Sequence, residues 1–292
     1  MRAAPSGLDA SYRNCIEITR ERARNFHYAL KMLPQERYKS MCALYAFARV
    51  ADDLSDDEPD PVKSLANTQG WRAAFDKALA GDCGEDRVLP AVSDTVKRYE
   101  IPPQYLYDLL AGTEMDASVK RFPVWADTYL YCYRVASVVG MMTVRVFGFT
   151  GDTARAMELA ERTGIAFQMT NIIRDMKEDA GRDRIYLPQE DLARFGVGEA
   201  EVLAAKDAPA YRKLLEFEGR RAQEYYAAAD ELIPMILPES RPAMEALVAI
   251  YRRLLEEIER RGYDVFTKRV SLSTAEKLKL AGRFALKSWL KR

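Results

Sequence analysis

Apolar residues recur at steps of three and four along almost the whole chain, the period of a helix with one buried face. This spacing predicts helices over 9–31, 35–54, 62–80, 87–99, 103–117, 124–147, 152–176, 188–195, 199–204, 208–232, 239–261 and 273–290. Strand-type alternation is almost absent. The breaks coincide with stop and start signals such as Pro102-Pro103, Gly151-Asp152-Thr153 and Pro188. About a dozen helices predict an all-α fold, a single domain over 1–292 with helices around a central cavity open to a ligand. The stretch 129–147 is apolar nearly all round, and its small residues Ala136, Ser137 and Gly140 allow close helix approach. It is expected to be the central helix.

Composition removes several classes of function. Lys+Arg and Asp+Glu are equal at 44 each, and no basic stripe suits nucleic acid. The four cysteines lack CxxC pairing and read as reduced, buried thiols. The only histidine is His27, which excludes poly-His metal sites and, read as a packed or solvated residue rather than a catalytic one, argues against Ser-His-Asp and Cys-His hydrolases. Reading no apolar run of about 18 residues, we expect a cytoplasmic protein with at most peripheral membrane contact. The basic, amphipathic stretch Arg283–Arg292 is the candidate for that contact.

Two acidic motifs carry the chemistry. Asp52-Asp53-Leu54-Ser55-Asp56 and Asp175-Met176-Lys177-Glu178-Asp179 each place two aspartates four residues apart within a helix. Such pairs share a face, with Cβ atoms roughly 6 Å apart, and their repulsion costs a few tenths of a kcal/mol. Each closes a longer polar line: Tyr45, Arg49, Asp52, Asp56 and Gln168, Asn171, Asp175, Asp179. Both lines lie among apolar residues, so both are expected to face an internal cavity. Carboxylates there need a cation, and Mg²⁺ (or Mn²⁺), held by a few carboxylates and substrate phosphate oxygens, is the candidate. The matching chemistry is ionisation of a diphosphate ester, with a dry aromatic cavity around the carbocation left behind. The candidate rings are Phe26, Tyr28, Tyr45, Phe47, Tyr129, Tyr131, Tyr133 and Phe167.

These residues resemble the squalene/phytoene synthase family. Tyr45-Ala-Phe-Ala-Arg49-Val-Ala-Asp52-Asp-Leu-Ser-Asp56 is similar to its first aspartate-rich motif. Gln168-Met-Thr-Asn171-Ile-Ile-Arg174-Asp175-Met-Lys-Glu-Asp179, followed by Arg182, Arg184-Ile-Tyr186-Leu-Pro188, is similar to its second. Tyr131-Cys-Tyr-Arg-Val-Ala-Ser-Val-Val-Gly140 and Tyr263-Asp-Val-Phe-Thr-Lys268-Arg269 resemble its central-helix and C-terminal stretches. The resemblance implies head-to-head (1′-1) condensation of two allylic prenyl diphosphates through a cyclopropylcarbinyl diphosphate. It implies Asp52, Asp56, Asn171, Asp175 and Asp179 as Mg²⁺–diphosphate ligands. It implies Arg49, Gln168, Arg174, Tyr186 and Lys268 on diphosphate oxygens, and Tyr45 and Tyr131 beside the cation. Several relatives carry His-Ser-x-Ser-Phe near the N-terminus. Here Arg22-Ala23-Arg24-Asn25-Phe26 stands in its place, leaving Arg22, Asn25 and Phe26 as the substrate contacts.

The product expected from this reading is C30, from two farnesyl diphosphates: squalene, presqualene diphosphate, hydroxysqualene or dehydrosqualene. The alternative is C40 phytoene from geranylgeranyl diphosphate. A class I terpene cyclase and a non-catalytic relative acting as an assembly factor are the readings of other kinds. No GxGxxG follows a strand, and the family's reductive members lack that motif too, which leaves a requirement for NADPH open. A monomer or weak dimer is expected.

Overall fold

The structure is a computed structural model describing residues 7–22, 29–56 and 60–289, with side chains throughout except at Ser55, Asp56, Pro61 and 285–289. Asn25, Phe26, His27 and Tyr28 lie outside the described residues. The helices are α1 (Gly7–Arg22), α2 (Gln35–Asp56), α3 (Pro61–Leu79), α4 (Leu89–Arg98), α5 (Pro103–Ser118), α6 (Trp125–Cys132) and α7 (Val138–Phe147). They continue with α8 (Thr153–Ala180), α9 (Gln189–Phe195), α10 (Glu199–Leu203), α11 (Pro209–Met235), α12 (Arg241–Arg260) and α13 (Thr274–Trp289).

Local chemistry explains most boundaries. Asp60 caps α3 through its side chain on Val62 N–H, with Pro61 in the first turn. Asp152 caps α8 by accepting from Arg155 N–H at 2.7 Å. Gly148, at φ 73°, ends α7 where a Cβ would meet Leu237 Cδ1 at 2.5 Å. Helix α8 outruns its expected end by one turn, to Ala180, so the whole second acidic motif is helical. Helix α11 likewise continues to Met235 through Pro234, because a proline near a C-terminus interrupts little of the remaining ladder.

The central segment is not one regular helix. Between α6 and α7, Tyr133–Ser137 form a π turn, with Val138 N–H bonded to Tyr133 C=O. The sequence reading had one helix here, because one extra residue in a turn leaves no mark in an all-apolar stretch. Trp125–Phe147 taken as one stretch is also long and apolar enough to cross a membrane, which the sequence reading had missed. Just over half of it, 56%, is buried inside the fold, where it serves as the central core element.

Two short strands, β1 (Arg121–Phe122) and β2 (Ile185–Pro188), pair in parallel, with Arg121 opposite Ile185. They tie the end of α5 to the turn after α8. Two buried clusters fill the interior. One gathers α1 to α5, α7 and the first half of α8 around Phe47, Phe75 and Phe147. The other gathers α6, the second half of α8, β2, α11 and the end of α12 around Met169, Leu187 and Tyr211. Helix α8 runs through both.

Candidate active site

A cavity of about 310 Å³ lies between α2, α5, α7, α8 and α12. Its walls are largely aliphatic, with Met41, Leu44, Val139, Met142, Met244 and Leu247 among them. The chain leaves this space by using small residues. Ala136, Gly140, Ala160 and Gly164 line it. At Gly164 a Cβ would sit 2.5 Å from Ser137 Cα, so α8 touches the π turn backbone to backbone. Ser137 Oγ seals that contact by donating to the Glu161 carbonyl at 2.8 Å.

A second, polar cavity of about 230 Å³ adjoins it, lined by Asp52, Thr113, Asp116, Tyr131, Gln168, Asn171, Asp175, Asp179, Arg182, Arg184 and Tyr186. Asp52, Gln168 and Asn171 line both, so the apolar chamber opens into the polar mouth through these three residues. Helix α8 meets expectation: all four residues of its polar line stand in the mouth. Helix α2 does not. Its inward line is Tyr45, Ala48, Asp52, while Arg49 turns aside and pairs with Asp53. Asp52 is exposed at the rim, at the outer end of that line. Asp56 closes α2.

Electrostatics differ between the two aspartates that α8 places in the mouth. Burial alone would raise the Asp175 carboxyl, but the guanidiniums of Arg174 (Nε to Oδ1 2.7 Å) and Arg269 (2.8 Å) hold it below the usual range. Burial pushes Asp179 up to about 7, and the charges of Asp175 and Asp116 add to it against Arg184 and Arg182. Asn171 donates to Gln168 Oε1 at 3.2 Å, while its own Oδ1 is buried without a partner. An unpaired amide oxygen beside carboxylates is the donor set a hard divalent cation takes. Among the described residues, no group of three or more carboxylates forms a cage by itself. The donors stand on two walls, where substrate oxygens would complete a metal's shell.

Other expected residues are distributed unevenly. Tyr131 is buried, stacks on Tyr186 with ring centroids 4.7 Å apart, and both rings line the mouth. Tyr186 donates to Asp116 Oδ1 at 2.6 Å, and Thr128 donates to the Tyr186 carbonyl at 2.9 Å. Lys268 is exposed, and its neighbour Arg269 is the residue that reaches Asp175 and Glu178. Arg22 is exposed at the end of α1. The chamber is less aromatic than expected. Its rings are Tyr45, Phe167 and Tyr251, the last two stacked at 4.2 Å. Phe47 is core instead, and Tyr129 turns to Glu161.

Sequence reasoning missed Asp116, Tyr251 and Arg269. For Asp116 a signal existed: Leu109, Thr113 and Asp116 step by four and three along α5, and all three line the cavities. It is the same kind of inward line as on α8.

The family model described as squalene/phytoene synthase matches residues 19–276. The chain is 35% identical over 286 residues to the phytoene synthase of Arthrospira platensis, covering 94% of this chain and 92% of that protein. It is 33% identical over 285 residues to the 15-cis-phytoene synthase of Synechococcus elongatus, with the same coverage. Its fold matches a solved dehydrosqualene synthase with a TM-score of 0.86 at 29% identity, over 97% of this chain and 98% of that one.

Proposed function

We infer that this chain, which belongs to the squalene/phytoene synthase family and is a head-to-head prenyltransferase, condenses two molecules of geranylgeranyl diphosphate to a phytoene-type C40 product. The observation that carries the reading is the continuity of an apolar chamber with a charged mouth through Asp52, Gln168 and Asn171. A prenyl tail fits the first and a diphosphate the second. From Asp52 to Met41 the chamber wall on α2 runs eleven residues, roughly 16 Å of helix. The deep wall consists of flexible or aliphatic side chains such as Met41, Met142 and Met244, which adapt to a long chain. The curated relatives cited above are phytoene synthases.

The donor set of the mouth suits Mg²⁺, which Asp52, Asn171, Asp175 and Asp179 would hold, with Asp56 at the end of α2. When bound, the cation neutralises the diphosphate and turns it into a leaving group. Gln168, Arg174, Tyr186, Arg182 and Arg184 orient and neutralise its oxygens. Tyr45, Phe167 and Tyr251 present ring faces where the allylic cation forms, and the aliphatic walls exclude water from it. The double bond of the second substrate then captures the cation, and loss of a proton from the cationic adduct to the released diphosphate closes the ring of the cyclopropylcarbinyl diphosphate.

The C30 reading is favoured by the fold match to a dehydrosqualene synthase. Incubation with Mg²⁺ and either farnesyl or geranylgeranyl diphosphate, with and without NADPH, separates the two. A C40 hydrocarbon from the C20 substrate is expected. Turnover of the C15 substrate alone would assign the C30 reaction, and release of diphosphate from neither would refute the catalytic reading.

A further inference from the structure

Among the residues lining the mouth, Asp116 is the acidic one that neither aspartate-rich motif supplies. It stands near the end of α5, and its Oδ1 accepts from the Tyr186 hydroxyl at 2.6 Å. That is the length of a charge-assisted O–H···O⁻ bond. A carboxylate beside a diphosphate opposes the binding of that anion by like-charge repulsion. Its place in the mouth therefore calls for a role that a strong acceptor performs.

The bond to Tyr186 supplies that role. Tyr186 is held at both ends: Asp116 takes its hydroxyl, and Thr128 donates to its carbonyl at 2.9 Å. The pairing of β2 with β1 fixes the backbone between them. The ring so held is a plate for its neighbours. Tyr131 stacks on it at 4.7 Å and 22°, and Phe122 at 5.7 Å and 29°. Tyr131 and Phe122 also meet each other, at 5.4 Å. All three rings are buried, and of the three Tyr131 and Tyr186 line the mouth. Side chains at a reacting centre are held in place by packing and by hydrogen bonds from outside it. A Tyr186 ring freed at its hydroxyl would turn, and the ring stacked on it would follow.

We propose that Asp116 is a positioning residue for Tyr131, acting through the hydroxyl and the ring of Tyr186. The inference rests on the ionisation chemistry proposed for the mouth. It requires the acceptor oxygen of Asp116 rather than its charge. It also places the effect on the chemical step rather than on the binding of Mg²⁺ or diphosphate.

The test combines steady-state kinetics over a range of Mg²⁺ concentrations, calorimetric titration of inorganic pyrophosphate in Mg²⁺, and near-ultraviolet circular dichroism of the free chain, which reads tyrosine packing. Asp116→Leu is expected to lower kcat on the order of 10- to 100-fold. KM, the half-saturating Mg²⁺ concentration and pyrophosphate affinity should hold or improve. Asp116→Asn, which keeps an acceptor oxygen in place, is expected to recover most of kcat and the wild-type dichroism. Tyr186→Phe tests the same bond from its other end while keeping the ring. It should lower kcat as far as Asp116→Leu does, and the two together should cost little more than either alone. Unchanged kcat in Asp116→Leu, or losses that add in the double variant, would overturn the proposal. So would an Asp116→Asn variant as slow as Asp116→Leu with a raised Mg²⁺ requirement, which would make Asp116 a metal ligand. A wild-type chain that turns over neither farnesyl nor geranylgeranyl diphosphate would overturn the functional reading itself, and this role with it.

Discussion

At the scale of the residue, two aspartates of the mouth behave differently because their surroundings differ. Asp52 is exposed at the rim, whereas Asp175 holds both Arg174 and Arg269. Asp52→Asn is therefore expected to keep wild-type stability and to lose activity by on the order of 100-fold or more. Asp175→Asn is expected to lose activity similarly and also to destabilise, because the Arg174 side chain, only 11% exposed, keeps its charge and loses its partner. Steady-state kinetics with urea unfolding of each variant checks both; equal stabilities would refute the different environments assigned to them. A second residue-scale effect lies away from the mouth. Glu218 is fully buried, and it and Asp191 share one Arg221 nitrogen, at 2.8 and 2.9 Å. Burial pushes Glu218 up to about 8. A carboxyl raised in the folded state stabilises fully below its unfolded pKa and loses that contribution as pH rises through the folded value. The window here runs from about 4.5 to about 8. Unfolding free energies should thus fall between about pH 5 and pH 9 in the wild type more steeply than in Glu218→Gln. Parallel slopes would show that Glu218 does not titrate in this range.

At the scale of the element, helices were legible because burial of one face imposes its period on the sequence. The polar line of α8 was legible for the same reason. The line of α2 was misjudged at Arg49 because residues three and four apart share a face equally well in a sequence. Only the neighbours decide which turns inward, and here Asp53 draws Arg49 aside. The π turn at Tyr133–Ser137 leaves no periodic trace, yet α8 meets it backbone to backbone at Gly164 in the chamber wall. Gly164→Ala would put a methyl 2.5 Å from Ser137 Cα and 2.8 Å from Ser137 N, both backbone atoms that cannot rotate away. A loss of about 1–3 kcal/mol is expected from overpacking. Gly282→Ala in α13, where a Cβ meets nothing within 4 Å, is expected to be neutral or to gain up to about 1 kcal/mol. Denaturant midpoints of the pair measure the difference, and equal midpoints would show that α8 and the π turn can separate freely.

At the scale of the whole molecule, the mouth joins parts of the chain that the core keeps apart. Helix α2, which carries Asp52, packs in the first cluster. The second half of α8, with Asn171, Asp175 and Asp179, and β2, with Tyr186, pack in the second. No periodicity could reveal that these walls face each other, because it depends on long-range packing and not on local spacing. A ligand that needs both walls binds only the folded chain, so it must stabilise the whole fold by linkage. With Mg²⁺ and inorganic pyrophosphate together at about 100 times their dissociation constant, the gain is about 2.7 kcal/mol. At about 2–4 °C per kcal/mol for a chain somewhat smaller than this one, the melting temperature should rise by roughly 5–10 °C. Pyrophosphate with EDTA, and Mg²⁺ alone, should each give much less, since each fills only part of the shell between the walls. Asp175→Asn should lose most of the combined shift, whereas Tyr129→Phe, whose hydroxyl pairs with Glu161 outside the mouth, should keep it. A combined shift no larger than the sum of the two separate ones would mean that cation and diphosphate bind independently, and that the two walls do not form one site.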